Sequence, residues 1–333
     1  MILISDATLR DGNHSVRHQL SEEQIARYAA DADAAGIDII EVGHGNGLGG
    51  SSALLGHSKV SDAQVLEIAR ASVKQAQLGV HFIPGFGKAT DLREAISKGV
   101  DVFRIACHCT EANITAPYIE MVKNNDRTAY GVLMMSHMAS YQDLTAQVRL
   151  LDSYGADAII LMDSAGYMTP DEVRRKIDAM LQVTSLPLGF HAHNNLSLAV
   201  ANSLAAVEEG VSIIDACIKG FGAGAGNTQL EPLIAVLARY GMQTRCTFEN
   251  AARLSALADA YLDCTTPHIP SANIASGLHG LFSGFVPHVR RAAAQFNVNE
   301  FELYEQLSLR ELVAGQEDII VEVAAGMAKT VNA

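Results

Sequence analysis

Between residues 2 and 218, short apolar runs recur eight times, at 2–4, 39–42, 78–83, 102–106, 129–134, 158–162, 186–190 and 213–218. Amphipathic stretches such as EEQIARYAADADAAG and TPDEVRRKIDAMLQ separate them. A parallel strand covered on both faces reads as such a run, and it needs a crossover helix to reach the next strand. Thr169 before Pro170 supplies an N-cap followed by proline at the first helical position. Gly36, Gly99, Gly155 and Gly210 stand where helices stop ahead of the next run. Eight units before residue 245 predict an α/β fold, a (β/α)8 TIM barrel, whose usual size is about 250 residues. A doubly wound open sheet is the alternative, disfavoured by the regular count and by the lack of GxGxxG after the first run. From residue 246 the pattern turns helical, so we expect a barrel domain over 1–245 and a C-terminal α-helical extension over 246–333, with a loop near TTPHIPSAN.

The runs end in polar residues on seven of eight occasions. In TIM barrels the C-terminal strand ends carry the chemistry, so these endings mark a functional mouth. The net charge of −13 argues against nucleic acid or an anionic membrane as a partner. No apolar run approaches the roughly 20 residues of a membrane span. The N-terminal MILISDATLRDG has neither a basic segment nor a cleavage site, from which a cytoplasmic location is expected. Five cysteines (Cys107, Cys109, Cys217, Cys246, Cys264) without a CxxC read as reduced structural thiols.

The seventh run ends in His191-Ala192-His193. Residues i and i+2 of a strand share a face, so both imidazoles project side by side. They are either satisfied core histidines or metal ligands. With the carboxylate of Asp11 after the first run, they make a two-His, one-carboxylate set that leaves positions open. The alternative for Asp11 is a helix N-cap or a salt-bridge partner, and the ligand reading is favoured. The mixed N/O donors suit Mn²⁺, Co²⁺, Zn²⁺ or Fe²⁺ better than Mg²⁺, which favours all-oxygen shells. Arg10 carries a permanent charge that can steady an anionic oxygen. His14 is a base near neutrality or a surface-loop histidine. Asn195 either lies near the ligands or caps the following helix. Lys219 suggests a Schiff-base aldolase, but an imine mechanism needs no His-Ala-His pair. The glycines of GFGAGAGN either cradle a phosphate or allow a tight turn over the mouth, and the turn is the simpler reading.

The stretches SDATLRDGNHSVRHQ, GHGNGLGGSS, HCTEANI, LMMSHMA, MDSAGYM, HAHNNLSLAVANSLAAVEEG, GAGAGN and GQEDIIVEVA resemble the bacterial 4-hydroxy-2-oxovalerate aldolases over nearly the whole chain. These are class II pyruvate aldolases, in a superfamily of metal-dependent TIM barrels with isopropylmalate synthase and hydroxymethylglutaryl-CoA lyase. The resemblance implies a divalent metal, typically Mn²⁺ with Co²⁺, Mg²⁺ or Zn²⁺ as substitutes, on Asp11, His191 and His193. It implies Arg10 as the stabiliser of the pyruvate enolate, His14 as the base and Ser164 near the pyruvyl carboxylate. The expected substrates are a 2-oxo acid and an aldehyde. The expected partner is an acylating aldehyde dehydrogenase docked on the C-terminal helices, within an oligomer. Two other functions stay open: a condensing enzyme using another 2-oxo acid or an acyl-CoA, and a non-catalytic dehydrogenase-binding subunit. The first is disfavoured because the loop after the eighth run lacks both the synthases' Glu-Arg pair and the lyases' cysteine.

Where family members often read GYAGVYSSF, this chain has GLHGLFSGF, with Leu278 and Phe282 replacing two tyrosines and His279 at the alanine position. Asn46 stands where the family usually has aspartate. The expected result is a more apolar acceptor pocket, lined by Phe282 and with His279 able to restore a polar contact.

Overall fold

Eight parallel strands close in chain order: β1 (Leu3–Leu9), β2 (Ile39–Val42), β3 (Gln77–Phe82), β4 (Val102–His108), β5 (Thr128–Met134), β6 (Ala158–Asp163), β7 (Leu188–Ala192) and β8 (Ile213–Ala216), which pairs back onto β1. In this computed structural model, residues 1–262, 269–310 and 312–331 are described, so Cys264 and residues 265–268 of the loop expected near TTPHIPSAN lie outside the described residues, while 271–273 of that stretch already belong to a helix. The crossovers carry α1 (Glu22–Ala35), α2 (Asp62–Ser72), α3 (Ala89–Ser97), α4 (Ala116–Lys123), α5 (Tyr141–Ser153), α6 (Pro170–Leu181), α7 (Ala199–Glu208) and α8 (Leu230–Arg239). The barrel expected from the apolar repeat is therefore present.

Local chemistry sets the helix ends. Ser21, Ser61 and Thr169 each accept from the backbone N–H three residues on, while Gln24, Gln64 and Glu172 reach back to close a capping box. Gly36 ends α1 in the left-handed region, at φ 86°, where a side chain is strained.

Alternation along the strands sorts residues into two layers. Ile40, Val42, Leu78, Phe103, Ile159 and Leu161 pack outward in the shell shared with the helices. Ile39, Val102, Val132, Ile160 and Ile213 form a separate apolar cluster inside the barrel. Arg104, Glu41 and Asp215 share the register of the second group, so the inward layer turns from apolar to charged. β1 runs five residues beyond the apolar run at 2–4, through buried Ser5, Asp6 and Thr8. Its polar interior is tolerated because the Asp6 carboxylate accepts from Thr8 Oγ1 (2.5 Å), Thr8 N (2.8 Å) and Tyr28 Oη (2.6 Å).

Beyond the barrel come α9 (Phe248–Ala258), α10 (Ser271–Leu278), α11 (Val286–Phe296), α12 (Glu300–Ser308) and α13 (Glu317–Val331). Ala251, Leu254 and Ala258 of α9 bury into the barrel's outer shell, alongside Cys246 and Leu262. α10 to α13 enclose their own core around Phe285, Val289, Leu303, Tyr304 and Ile320. No helix among the described residues is long and apolar enough to cross a membrane.

Candidate active site

Five buried charges are linked at the C-terminal end of the barrel. Arg104 on β4 grips Asp215 on β8 through two bonds, Nη1 to Oδ1 at 2.8 Å and Nη2 to Oδ2 at 2.5 Å, and its Nη1 also lies 3.4 Å from Glu41. Glu41 on β2 faces Arg10 just after β1, with Nε 3.3 Å from Oε1 and Nη2 3.3 Å from Oε2. Arg10 Nη1 then donates to Asp11 Oδ1 at 2.9 Å. Burial alone would raise the carboxyl pKa values, but the guanidiniums outweigh it and hold Asp11, Glu41 and Asp215 below the usual carboxylate range. Two guanidiniums against three carboxylates leave this linked cluster one negative charge in excess.

Asp11, His191 and His193 meet at one edge of that cluster, all buried, with one candidate ligand atom from each within 4.8 Å of the others. His191 Nδ1 donates to Asp215 Oδ2 at 2.8 Å, which orients the ring and turns Nε2 towards the other two residues as the ligating atom. That Nε2 is buried and has no hydrogen-bond partner. His193 Nδ1 lies 3.4 Å from Ala223 O, and burial pushes its pKa down to about 4, opposed by Asp11, so the ring stays neutral. Ala223 N (3.1 Å) and Asn227 Nδ2 (2.7 Å) both donate to Asp11 Oδ2. The glycine-rich loop after β8 thus acts as a bracket for Asp11, in keeping with the tight-turn reading. An excess negative charge beside two imidazoles, one with an orphaned ring nitrogen, suits a bound cation.

Arg10 also donates to Gly45 O at 3.1 Å. His14 closes over the same glycine: a Cβ built on Gly45 would lie 2.2 Å from His14 Nε2. Only a residue without a side chain admits the ring there. Burial depresses the His14 pKa and nearby Asp11 partly restores it, leaving a neutral imidazole near the candidate ligands. His14 stands edge-on to His18, with ring centroids 4.8 Å apart, and His18 stacks on His44 at 3.7 Å.

Two cavities flank this centre. The first, of about 310 Å³, is lined mainly by apolar groups, among them Ile83, Phe86, Met134, Met135 and Val313, with Ser164 at its wall. Ser164 Oγ accepts from Met135 N at 3.0 Å. The second, of about 830 Å³, borders His14 and combines apolar groups such as Leu54, Leu55 and Pro287 with charged groups of the barrel rim, α11 and α13. Asn46 and Phe282 line both. The helical extension is pinned to the mouth by Asn195, whose Nδ2 donates to Asn273 O (2.9 Å) and whose Oδ1 accepts from Ser283 Oγ (3.0 Å).

The HMGL-like family model matches residues 1–258, and the DmpG-like communication domain matches residues 267–329. The chain is 61% identical over 329 residues to the 4-hydroxy-2-oxovalerate aldolase of Burkholderia thailandensis, covering 99% of this chain and 95% of that one. It is 47% identical to the protein of the same name from Pectobacterium atrosepticum, covering 98% and 96%. The chain belongs to the 4-hydroxy-2-oxovalerate aldolase family. A putative aldolase domain from Bacteroides vulgatus superposes with a TM-score of 0.74 at 24% identity, covering 89% of this chain and 98% of that one, and shares the fold.

Against that family's pattern, the replaced tyrosines separate cleanly. Phe282 does face the cavities, and it packs edge-on against Phe285 with centroids 5.4 Å apart. Leu278 does not: it is 62% exposed, so the expectation that it makes the pocket more apolar is corrected. The end of α10 turns it to solvent. His279 is half-buried and caps α10 through its backbone N–H to Ala275 O, and it lines neither cavity. Lys219 pairs with Asp259 at the end of α9 and lines neither cavity. The sequence places Glu41 and Asn227 among the polar strand endings without a role, and those endings do not mark Arg104 and Asp215 as site residues. The available signal was a charge placed inside an apolar strand, as in VFRIACH and IIDA.

Proposed function

We propose that this protein is a metal-dependent lyase that cleaves, and in reverse forms, 4-hydroxy-2-oxo acids, giving pyruvate and an aldehyde. The observation that carries this reading is the convergence of Asp11, His191 and His193 in a cluster short of one positive charge, with His191 Nε2 buried and unpartnered. These three residues hold the divalent ion, with Mn²⁺ the first choice and Co²⁺, Zn²⁺ or Mg²⁺ as substitutes. When bound, the ion supplies Lewis acidity at the 2-oxo group.

The chain's own groups do the rest. His14, neutral and next to the mouth, takes the C4 hydroxyl proton. The C4–O bond becomes the aldehyde carbonyl, and the C3–C4 electron pair moves into the pyruvyl fragment. Arg10, held between Glu41 and Asp11, keeps its charge beside the 2-oxo oxygen as that oxygen gains negative charge. Because Arg10 is already fixed by two carboxylates and Gly45 O, little reorganisation accompanies that step. Ser164 borders the pyruvyl carboxylate. C3 then takes a proton from water while His14 returns its own to solvent, which completes pyruvate and restores the base. Phe282 and the apolar cavity contact the aldehyde-derived carbons.

The match of residues 267–329 to a communication domain supports docking of a partner enzyme on α10 to α13. An acylating aldehyde dehydrogenase, which consumes the aldehyde, fits that role, within an oligomer. Incubating the metal-loaded protein with pyruvate and a panel of aldehydes, and reading products by mass spectrometry, tests the reading. It predicts 4-hydroxy-2-oxo acids of matching mass. Products from acyl-CoA, or none from any pair, would overturn it.

A further inference from the structure

The cavity of about 830 Å³ beside His14 is walled largely by apolar atoms, like the first, but differs from it in its charged groups. Its wall includes Arg17, Arg290, Arg291 and His288 against a single carboxylate, Glu317. Such a basic concavity is unexpected in a chain of net charge −13. Its charges are also poorly neutralised. Arg290 pairs with Glu300, Nε to Oε1 at 3.3 Å. Arg291 Nη2 instead meets the neutral Nδ1 of His288 at 3.0 Å, and Arg17 makes no ion pair among the described residues. Glu317 is occupied in part by Gly315 N, which donates to its Oε1 at 3.2 Å. Arg17 is exposed and stands at φ 54°, the first of two consecutive non-glycine residues in the left-handed region. That turn keeps it at the rim three residues from His14.

The two cavities share Asn46 and Phe282 as a common wall. A retro-aldol reaction also divides its products by character, one a carboxylate and the other a neutral aldehyde. We infer that the basic cavity is a capture site for the carboxylate of the 2-oxo acid, delivering it past His14 towards Ser164. This rests on the aldolase reading above. Arg17 and Arg291 are its binding groups, since both offer guanidinium donors with no carboxylate partner among the described residues. They act before the bond breaks, so their contribution lies in KM for the acid and not in kcat.

The test is steady-state kinetics in both directions with the full chain, comparing wild type, the double variant Arg17→Gln/Arg291→Gln and the double variant Arg17→Lys/Arg291→Lys. At low ionic strength the glutamine variant should raise KM for pyruvate and for 4-hydroxy-2-oxovalerate by about tenfold. Its KM for acetaldehyde should stay at the wild-type value. Raising salt towards 1 M, where screening acts over about 3 Å, should bring the variants and wild type together. The lysine variant should recover most of the loss at low salt. Unchanged KM for both acids, or an equal rise for acetaldehyde, overturns the capture site while leaving the aldolase reading standing. Wild type that releases no pyruvate from any 4-hydroxy-2-oxo acid overturns both.

Discussion

Asp215→Asn separates the support of the candidate metal site from its ligands. The carboxylate serves two groups at once, accepting from both Arg104 nitrogens and from His191 Nδ1 at 2.8 Å. An amide of the same shape has one oxygen acceptor and one NH₂ donor. Turned so that oxygen faces Arg104, it presents N–H to His191 Nδ1 and drives that ring to the other tautomer. The proton then sits on Nε2, the atom needed bare for a metal. Loss of such a supporting partner costs about 10–100-fold in metal affinity, or about 1.4–2.7 kcal/mol. Breaking the buried pair with Arg104 adds a stability loss of about 3 kcal/mol, the low end for an uncompensated buried charge because one acceptor remains. Metal affinity is read by competition with a chromophoric chelator, and stability by urea unfolding of the metal-free protein. A variant that folds but binds Mn²⁺ within twofold of wild type would refute the reasoning, because Asp215 would then not set the His191 tautomer.

Gly45→Ala should leave metal affinity intact and cut kcat by about 100-fold, the low end for a displaced general base, because the added methyl occupies the position of the His14 ring; kcat within threefold of wild type in a pyruvate-release assay contradicts this. Burial holds His18 at about 3 and His44, His81, His137 and His193 at about 4, while it raises Asp6 and Asp163 to about 6. The histidines take up protons on unfolding and the two aspartates release them, so stability of the metal-free protein should fall as pH drops from about 6.5 towards 4, by about 1.4 kcal/mol per pH unit for each net proton. Urea midpoints that stay flat or rise on acidification contradict that sign. Phe282→Tyr should shift the preference between acetaldehyde and longer aldehydes, whereas Leu278→Ser, at a solvent-facing position, should not; the reverse pattern in relative kcat/KM would displace Phe282 from the acceptor wall.

The barrel was legible because its signal is local: apolar runs, caps and stops repeat at every unit, and closure follows from their number. The nearness of Asp11 to the His-Ala-His pair was legible for the same reason, since two-residue spacing fixes a shared face and strand ends converge at one rim. Glu41, Arg104 and Asp215 were not, although each is plainly written inside a strand. One charge in an apolar run has no partner within that run, and the two carboxylates that meet Arg104 lie 63 and 111 residues away across the closed barrel. β1 was read too short for a related reason, since Asp6 and Thr8 look like loop chemistry until Tyr28 of α1 is brought over them. The C-terminal region was harder still. A helical pattern fixes which residues are apolar, but not that Phe282 turns towards the mouth while Leu278 turns to solvent. That depends on how the extension is pinned to the rim by Asn195, Asn273 and Ser283.

The central claim is that Asp11, His191 and His193 hold an ion without which the bond is not cleaved. Its most direct test is pyruvate release from 4-hydroxy-2-oxovalerate by exhaustively chelated protein, with bound metal counted by elemental analysis in wild type and His191→Ala. The account predicts no turnover after chelation, recovery on adding Mn²⁺ to about one ion per chain in wild type, and neither binding nor recovery in the folded variant. Full turnover by wild type holding far less than one ion per chain would contradict it.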